Sequence, residues 1–143
     1  MGLKLGCGAG FSADRLGPAV DLARDGQLDV LVFECLGERT MAFGHRDRRL
    51  DPKRGFNPQL VQRMRAVLPH TAKAGTTIVT NMGVANVRGA GEATIAVARE
   101  LGLSGLRVAI VEGDDVTHLI GRETRLTDGA GATVGEVGRP VVG

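Results

Sequence analysis

Two pairs of reactive side chains stand close together early in the sequence: Glu34-Cys35 and Glu38-Arg39. A carboxylate can move a proton or hold a cation, and a thiol can act as a nucleophile once it is ionised. Both pairs follow LDVLVF at Leu28–Phe33, an apolar, β-branched run that reads as a strand buried on both faces. Glu34, with apolar residues before it, is a candidate acid or base with a raised pKa, or one half of an ion pair with Arg39 or another arginine. Cys35 is a candidate nucleophile or a small buried apolar residue.

Other chemistry-bearing residues also sit where apolar runs end. Gly6, Cys7, Gly8 and Gly10 lie in GCGAGF after the run beginning at Leu3, with Asp14 just beyond. Backbone N–H groups of such a loop can cradle a phosphate or carboxylate, and the glycines can equally serve close packing. The spacing is GxGxG with the helix starting several residues later, which does not fit the dinucleotide fingerprint. Asn81 and Asn86 flank TTIVT at Thr76–Thr80 and the loop after it; both can bind a carbonyl or carboxylate, or act as turn residues. Glu112, Gly113, Asp114 and Asp115 follow LRVAIV at Leu106–Val111. Asp114 and Asp115 are candidate ligands for a divalent metal or caps of the following turn.

The elements that must position these residues alternate between strand and helix patterns. Strands are expected near Leu3–Cys7, Leu28–Phe33, Thr76–Thr80 and Leu106–Val111. Helices are expected near Pro18–Asp25, Gly37–Arg49, Asn57–Gly75 and Gly89–Leu101, with proline and glycine marking their ends. Pro69 should kink or shorten the third of these. One helical turn is expected near Val116–Ile120. This alternation predicts an α/β fold with a parallel sheet of at least four strands and helices on both faces, a Rossmann-like three-layer arrangement. Half of a (β/α)8 barrel is the alternative, since four βα units would also form one. In either case the strands' carboxyl ends, and the candidates above, share one edge. Residues 1–120 should form this domain. Residues 121–143 are glycine-rich, with a turn at Asp128-Gly129 and a possible short strand near Val134 or Val141-Val142.

Composition excludes several functions. The chain is 43% hydrophobic and 24% charged, the balance of a soluble globular domain. A net charge of +2 and 3% aromatics offer nucleic acid neither a basic patch nor a stacking platform. No apolar run approaches the roughly 20 residues of a membrane span, and MGLKLGCGAG lacks the basic region and long apolar core expected of a signal peptide. Two cysteines without a CxxC pattern are expected to be free thiols in a reducing cytoplasm.

Five segments resemble the N-terminal part of the acyclic terpene utilisation (AtuA-like) family. They are GCGAGFSADR at Gly6–Arg15, LVFECLGERT at Leu31–Thr40, QRMRAVLP at Gln62–Pro69, IVTNMGVAN at Ile78–Asn86 and LRVAIVEGDDV at Leu106–Val116. The resemblance implies a cytoplasmic protein of acyl-CoA catabolism, found beside enzymes that degrade citronellol- and geraniol-type branched acids. It transfers no catalytic residue. Family members continue past this length, so the resemblance also implies a further C-terminal portion or partner subunit. The expected ligand is a small-molecule acid or its acyl-CoA ester, handled either by an enzyme or by a non-catalytic binding or assembly module, with a homo-oligomer as a candidate assembly.

Overall fold

The computed structural model divides into two compact units, Met1–Ile110 and Val111–Gly143. It describes residues 2–128, 130–139 and 141. The division falls ten residues before the boundary expected from composition.

In the first unit the elements are β1 (Leu5–Ala9), α1 (Gly17–Asp25), β2 (Val30–Phe33), α2 (Glu38–Leu50), α3 (Leu60–Ala74), β3 (Thr77–Thr80) and α4 (Val87–Glu100). The three strands are parallel, in the order β1-β2-β3. A bulge at Gly8 adds one residue to β1, so that Ala9 pairs with Phe33, and Phe33 with Thr80. All three strands therefore end level.

Strand order also decides where the helices go. Each strand is added on the same side of the last, an order for which right-handed crossovers place connecting helices on a common face. Helix α3 packs between α1 and α4, and α1 also packs on β1. The expected helix layers on both faces are corrected: α1, α3 and α4 join Leu31 and Phe33 in one core. Leu31 and Phe33 point into the helix layer and are completely buried. Leu5 and Val79 remain 62% and 52% exposed, and Cys7 is also exposed. The sheet is thus buried on one face, and β2 is not enclosed on both.

The core joins Leu31 and Phe33 to Leu60, Met64, Val67 and Leu68 of α3, Ala19 and Ala23 of α1, and Ala90, Val97 and Ala98 of α4. Helix α3 runs through Pro69 as one element, and left-handed Gly75 ends it (φ 74°). Asn57 acts before its start, accepting the Gln59 N–H at 2.9 Å.

The expected fourth strand is a second correction: among the described residues the sheet has three strands. Leu106–Val111 has no ladder partner, and Gly102 and Gly105 before it adopt positive φ. The side chains of Ile110 and Val108 lie over Gly91 of α4, where a Cβ would meet Ile110 at 2.9 Å. The run places these two side chains on a helix instead of along β3.

The second unit holds a 3₁₀ turn (Thr117–Leu119) and a short helix, α5 (Val134–Val137). The turn lies where one was expected. Val134 begins a helical turn, not a strand, because Thr133 and Glu136 cap it reciprocally, with the Thr133 N–H 2.7 Å from the Glu136 carboxylate. An isolated antiparallel bridge joins Arg125 to Thr133. The expected Asp128-Gly129 turn and Val141-Val142 strand involve Gly129 and Val142, which lie outside the described residues.

Candidate functional site

Because the strands end level, the next residues of each, Gly10, Glu34 and Asn81, stand side by side at the carboxyl edge. The Glu34 N–H continues the ladder to the Ala9 carbonyl at 3.1 Å. Asn81 then ties two exits together. Its Nδ2 donates to Glu34 Oε1 at 3.0 Å, and its Oδ1 accepts the Cys35 N–H at 2.7 Å. The same Glu34 oxygen accepts the Leu36 N–H at 3.0 Å.

These donors stabilise the charged carboxylate. The Asn81 amide first, and then the Leu36 N–H, hold the Glu34 pKa below its ordinary value. The direction is opposite to the raised value expected from the preceding apolar run. Glu34 is exposed at the strand tip, so burial is the weaker influence. It is therefore a carboxylate at neutral pH, suited to hold a cationic or hydroxyl group and less basic than an ordinary glutamate. Among the described residues it forms no ion pair with Arg39. Arg39 lies over the Phe43 ring at 5.4 Å, with Arg46 at 5.0 Å from the same ring. Glu38 occupies the first turn of α2, where a negative charge suits the helix dipole.

Cys35 is 1% exposed. Burial pushes its thiol pKa up, opposed by the positive charge of Arg63 and reinforced by the nearby Glu34 and Asp14. A buried thiol with a raised pKa is a weak nucleophile.

The glycines of the first loop divide by role. A Cβ at Gly6 would lie 2.3 Å from Leu28, and one at Gly8 2.4 Å from the Phe33 ring, so both serve close packing. A Cβ at Gly10 would meet nothing within 4 Å. The Gly10 N–H is already bonded, to Asp14 Oδ2 at 2.9 Å, while Asp14 Oδ1 accepts the Arg15 N–H at 2.8 Å. Those two amides, and then the charges of Arg15 and Arg63, hold the Asp14 pKa down. Cys7 donates weakly to the Ala9 carbonyl at 3.5 Å.

Asn86 is a structural residue at the far end of the β3 loop. Its Oδ1 caps α4 through the Gly89 N–H at 3.0 Å, and its Nδ2 holds the Pro52 and Arg54 carbonyls. The same loop carries Val84 at φ 49°, a strained conformation for a β-branched residue.

Gly113, Asp114 and Asp115 belong to the second unit. Gly113 takes a positive φ of 122°, and Asp115 Oδ1 accepts the Thr117 N–H at 3.0 Å and its hydroxyl, at the start of the 3₁₀ turn. Among the described residues, no group of three or more His, Cys, Asp or Glu is arranged to hold a metal ion.

Sequence reading missed Arg63. It is 1% exposed, beneath the first loop, with Nη2 donating to the Asp14 carbonyl at 2.8 Å and to Gln59 Oε1 at 3.2 Å. Nη1 lies 3.5 Å from the Gly8 carbonyl, and the guanidinium carbon lies 5.3 Å from the centre of the Phe33 ring. The missed signal was periodicity. Arg63 falls between Leu60 and Val67 on the apolar stripe of α3, where an arginine is out of place.

The chain is thus an α/β unit with polar residues gathered at the level carboxyl ends of its parallel strands. A family profile described as "Acyclic terpene utilisation family protein AtuA" matches residues 3–141, and the chain belongs to that family. Membership gives it a role in acyclic terpene utilisation. Neither the search of curated proteins nor that of solved structures gives a match. No helix of the described residues is long and apolar enough to cross a membrane.

Proposed function

We propose that this chain acts on an acyclic terpenoid or branched-chain acid, or its acyl-CoA ester, with Glu34 as the general base. The observation that carries the reading is the level exit of β1, β2 and β3, with the Glu34 carboxylate held ionised by Asn81 beside the open Gly10 position. A carboxylate aimed from a rigid strand end can take the α-proton of a thioester, with a basicity that its lowered pKa reduces. The free thiols Cys7 and Cys35 support work in a reducing cytoplasm.

A second reading, a non-catalytic binding or assembly module, draws on the uncovered sheet face with Leu5, Cys7 and Val79. A thermal-shift screen of acyl-CoAs, free terpenoid acids and divalent metals, made on the full-length protein, separates the two. A ligand of the native state raises the melting temperature. Turnover of that ligand lost in Glu34→Gln, with the variant still folded and binding the ligand, supports the enzyme; binding with no turnover in the parent protein supports the module.

A further inference from the structure

Arg63 presents a problem that the proposed base does not use. A buried guanidinium without a paired anion is costly. Arg63 is 1% exposed, forms no ion pair among the described residues, and leaves its Nε buried without a partner. Its two terminal nitrogens reach the Gly8 and Asp14 carbonyls, so the charge lies under both ends of the loop between them. Helix α1 begins immediately after, at Gly17, with no side-chain cap and no acid in its first turn. The Arg63 charge and the positive end of α1 therefore both lie next to one loop.

The negative group now meeting them comes from the loop itself. One planar carboxylate, that of Asp14, uses its two oxygens on two separate amides, those of Gly10 and Arg15. Over Gly10 the space is open. We propose that the Gly10–Arg15 loop is a carboxylate-binding site, which the Asp14 side chain fills when no ligand is bound, with Arg63 as the counter-charge beneath. An incoming acid presents the same pair of oxygens, and Asp14 needs only to rotate outward. The site would hold the acid's carboxylate at the exit of β1 while the rest of the molecule extends towards Glu34 on the neighbouring strand. This rests on the reading that the ligand is an acid.

The test is a titration of the isotope-labelled full chain with 3-methylbutanoate, 3-methylbutanamide and inorganic phosphate, followed by amide NMR. The Gly10 and Arg15 signals should shift saturably with the acid and not with the amide. Asp14→Asn, whose single side-chain oxygen can serve only one of the two amides, should bind the acid at least tenfold more tightly. Adding Arg63→Lys to that variant should weaken binding at least fivefold; should this chain fail to fold, the Asp14→Asn comparison decides alone. Equal shifts with acid and amide, a response to phosphate only, or no gain from Asp14→Asn would overturn the proposal. Capture of the acid by the loop, together with full turnover in Glu34→Gln, would remove the proposed base and leave this site standing. Loss of turnover in Glu34→Gln without any loop response would do the reverse.

Discussion

Asn81 fastens Glu34 to Cys35: one amide group donates to the carboxylate and accepts from the next residue's backbone, across two strand ends. The exposed charge is thereby fixed to a buried position, since Cys35 is 1% exposed. Removing the tie should be felt in both places. Asn81→Ala is expected to lower stability by about 1–3 kcal/mol, the cost of leaving a buried N–H without a partner. Asn81→Asp sets a second carboxylate beside Glu34, so its defect should shrink as the pH is lowered. Denaturant unfolding at neutral and acidic pH measures both.

Asn86 should respond differently. Its loss removes a helix cap and two donors to loop carbonyls. Asn86→Ala should therefore destabilise the fold by about 2 kcal/mol. Binding measured well below the melting temperature should be unaffected, which distinguishes it from Asn81.

Gly8 and Gly10 form a matched pair. Gly8→Ala forces a methyl group against the buried Phe33 ring, at 2.4 Å before relaxation, and should cost about 1–3 kcal/mol. Gly10→Ala enters open space and should leave the melting temperature within about 1 °C, consistent with a surface change of under 0.5 kcal/mol. A loss of ligand response in Gly10→Ala then reports on binding alone.

The dependence on pH has a defined sign. Glu34 and Asp14 both have folded pKa values below their ordinary ones. Their contribution is complete above the unfolded value and disappears as the pH falls through the folded value. Stability should therefore decline on acidification below the ordinary carboxylate range. Glu34→Gln should decline less steeply in chemical denaturation followed across that range. A slope unchanged by the substitution would contradict the assigned hydrogen bonds.

The two thiols should be distinguishable by simple chemistry. Cys7 is exposed, and Cys35 is buried with a raised pKa. A chromogenic disulfide reagent should titrate Cys7 in the native protein and both thiols in denaturant. Rapid modification of Cys35 in the native state would show that the edge opens readily.

The three strands that form were legible because each apolar run ends in a polar or glycine residue, and two helix limits because Pro18 and Gly75 mark them; α3 starts at Leu60, two residues after the start that Pro58 suggested. The direction of the Glu34 pKa was not legible: an apolar run before a carboxylate suggests burial, yet Asn81, 47 residues away, supplies the decisive hydrogen bond. Leu106–Val111 has the composition of a strand, but strand formation depends on a partner that composition does not supply. Strand order was also invisible, and with it the one-sided helix layer. Arg63 could have been found by asking which charged residue interrupts the apolar stripe of α3.

The bare side of the sheet has a practical consequence. Leu5, Val30, Val32 and Val79 lie on one apolar face of a chain of modest net charge, with the exposed thiol of Cys7 on its edge strand. Such a surface promotes self-association at high concentration. Recombinant material should become more soluble when Val79 is changed to lysine, and preparations without reductant should accumulate dimers cross-linked through Cys7.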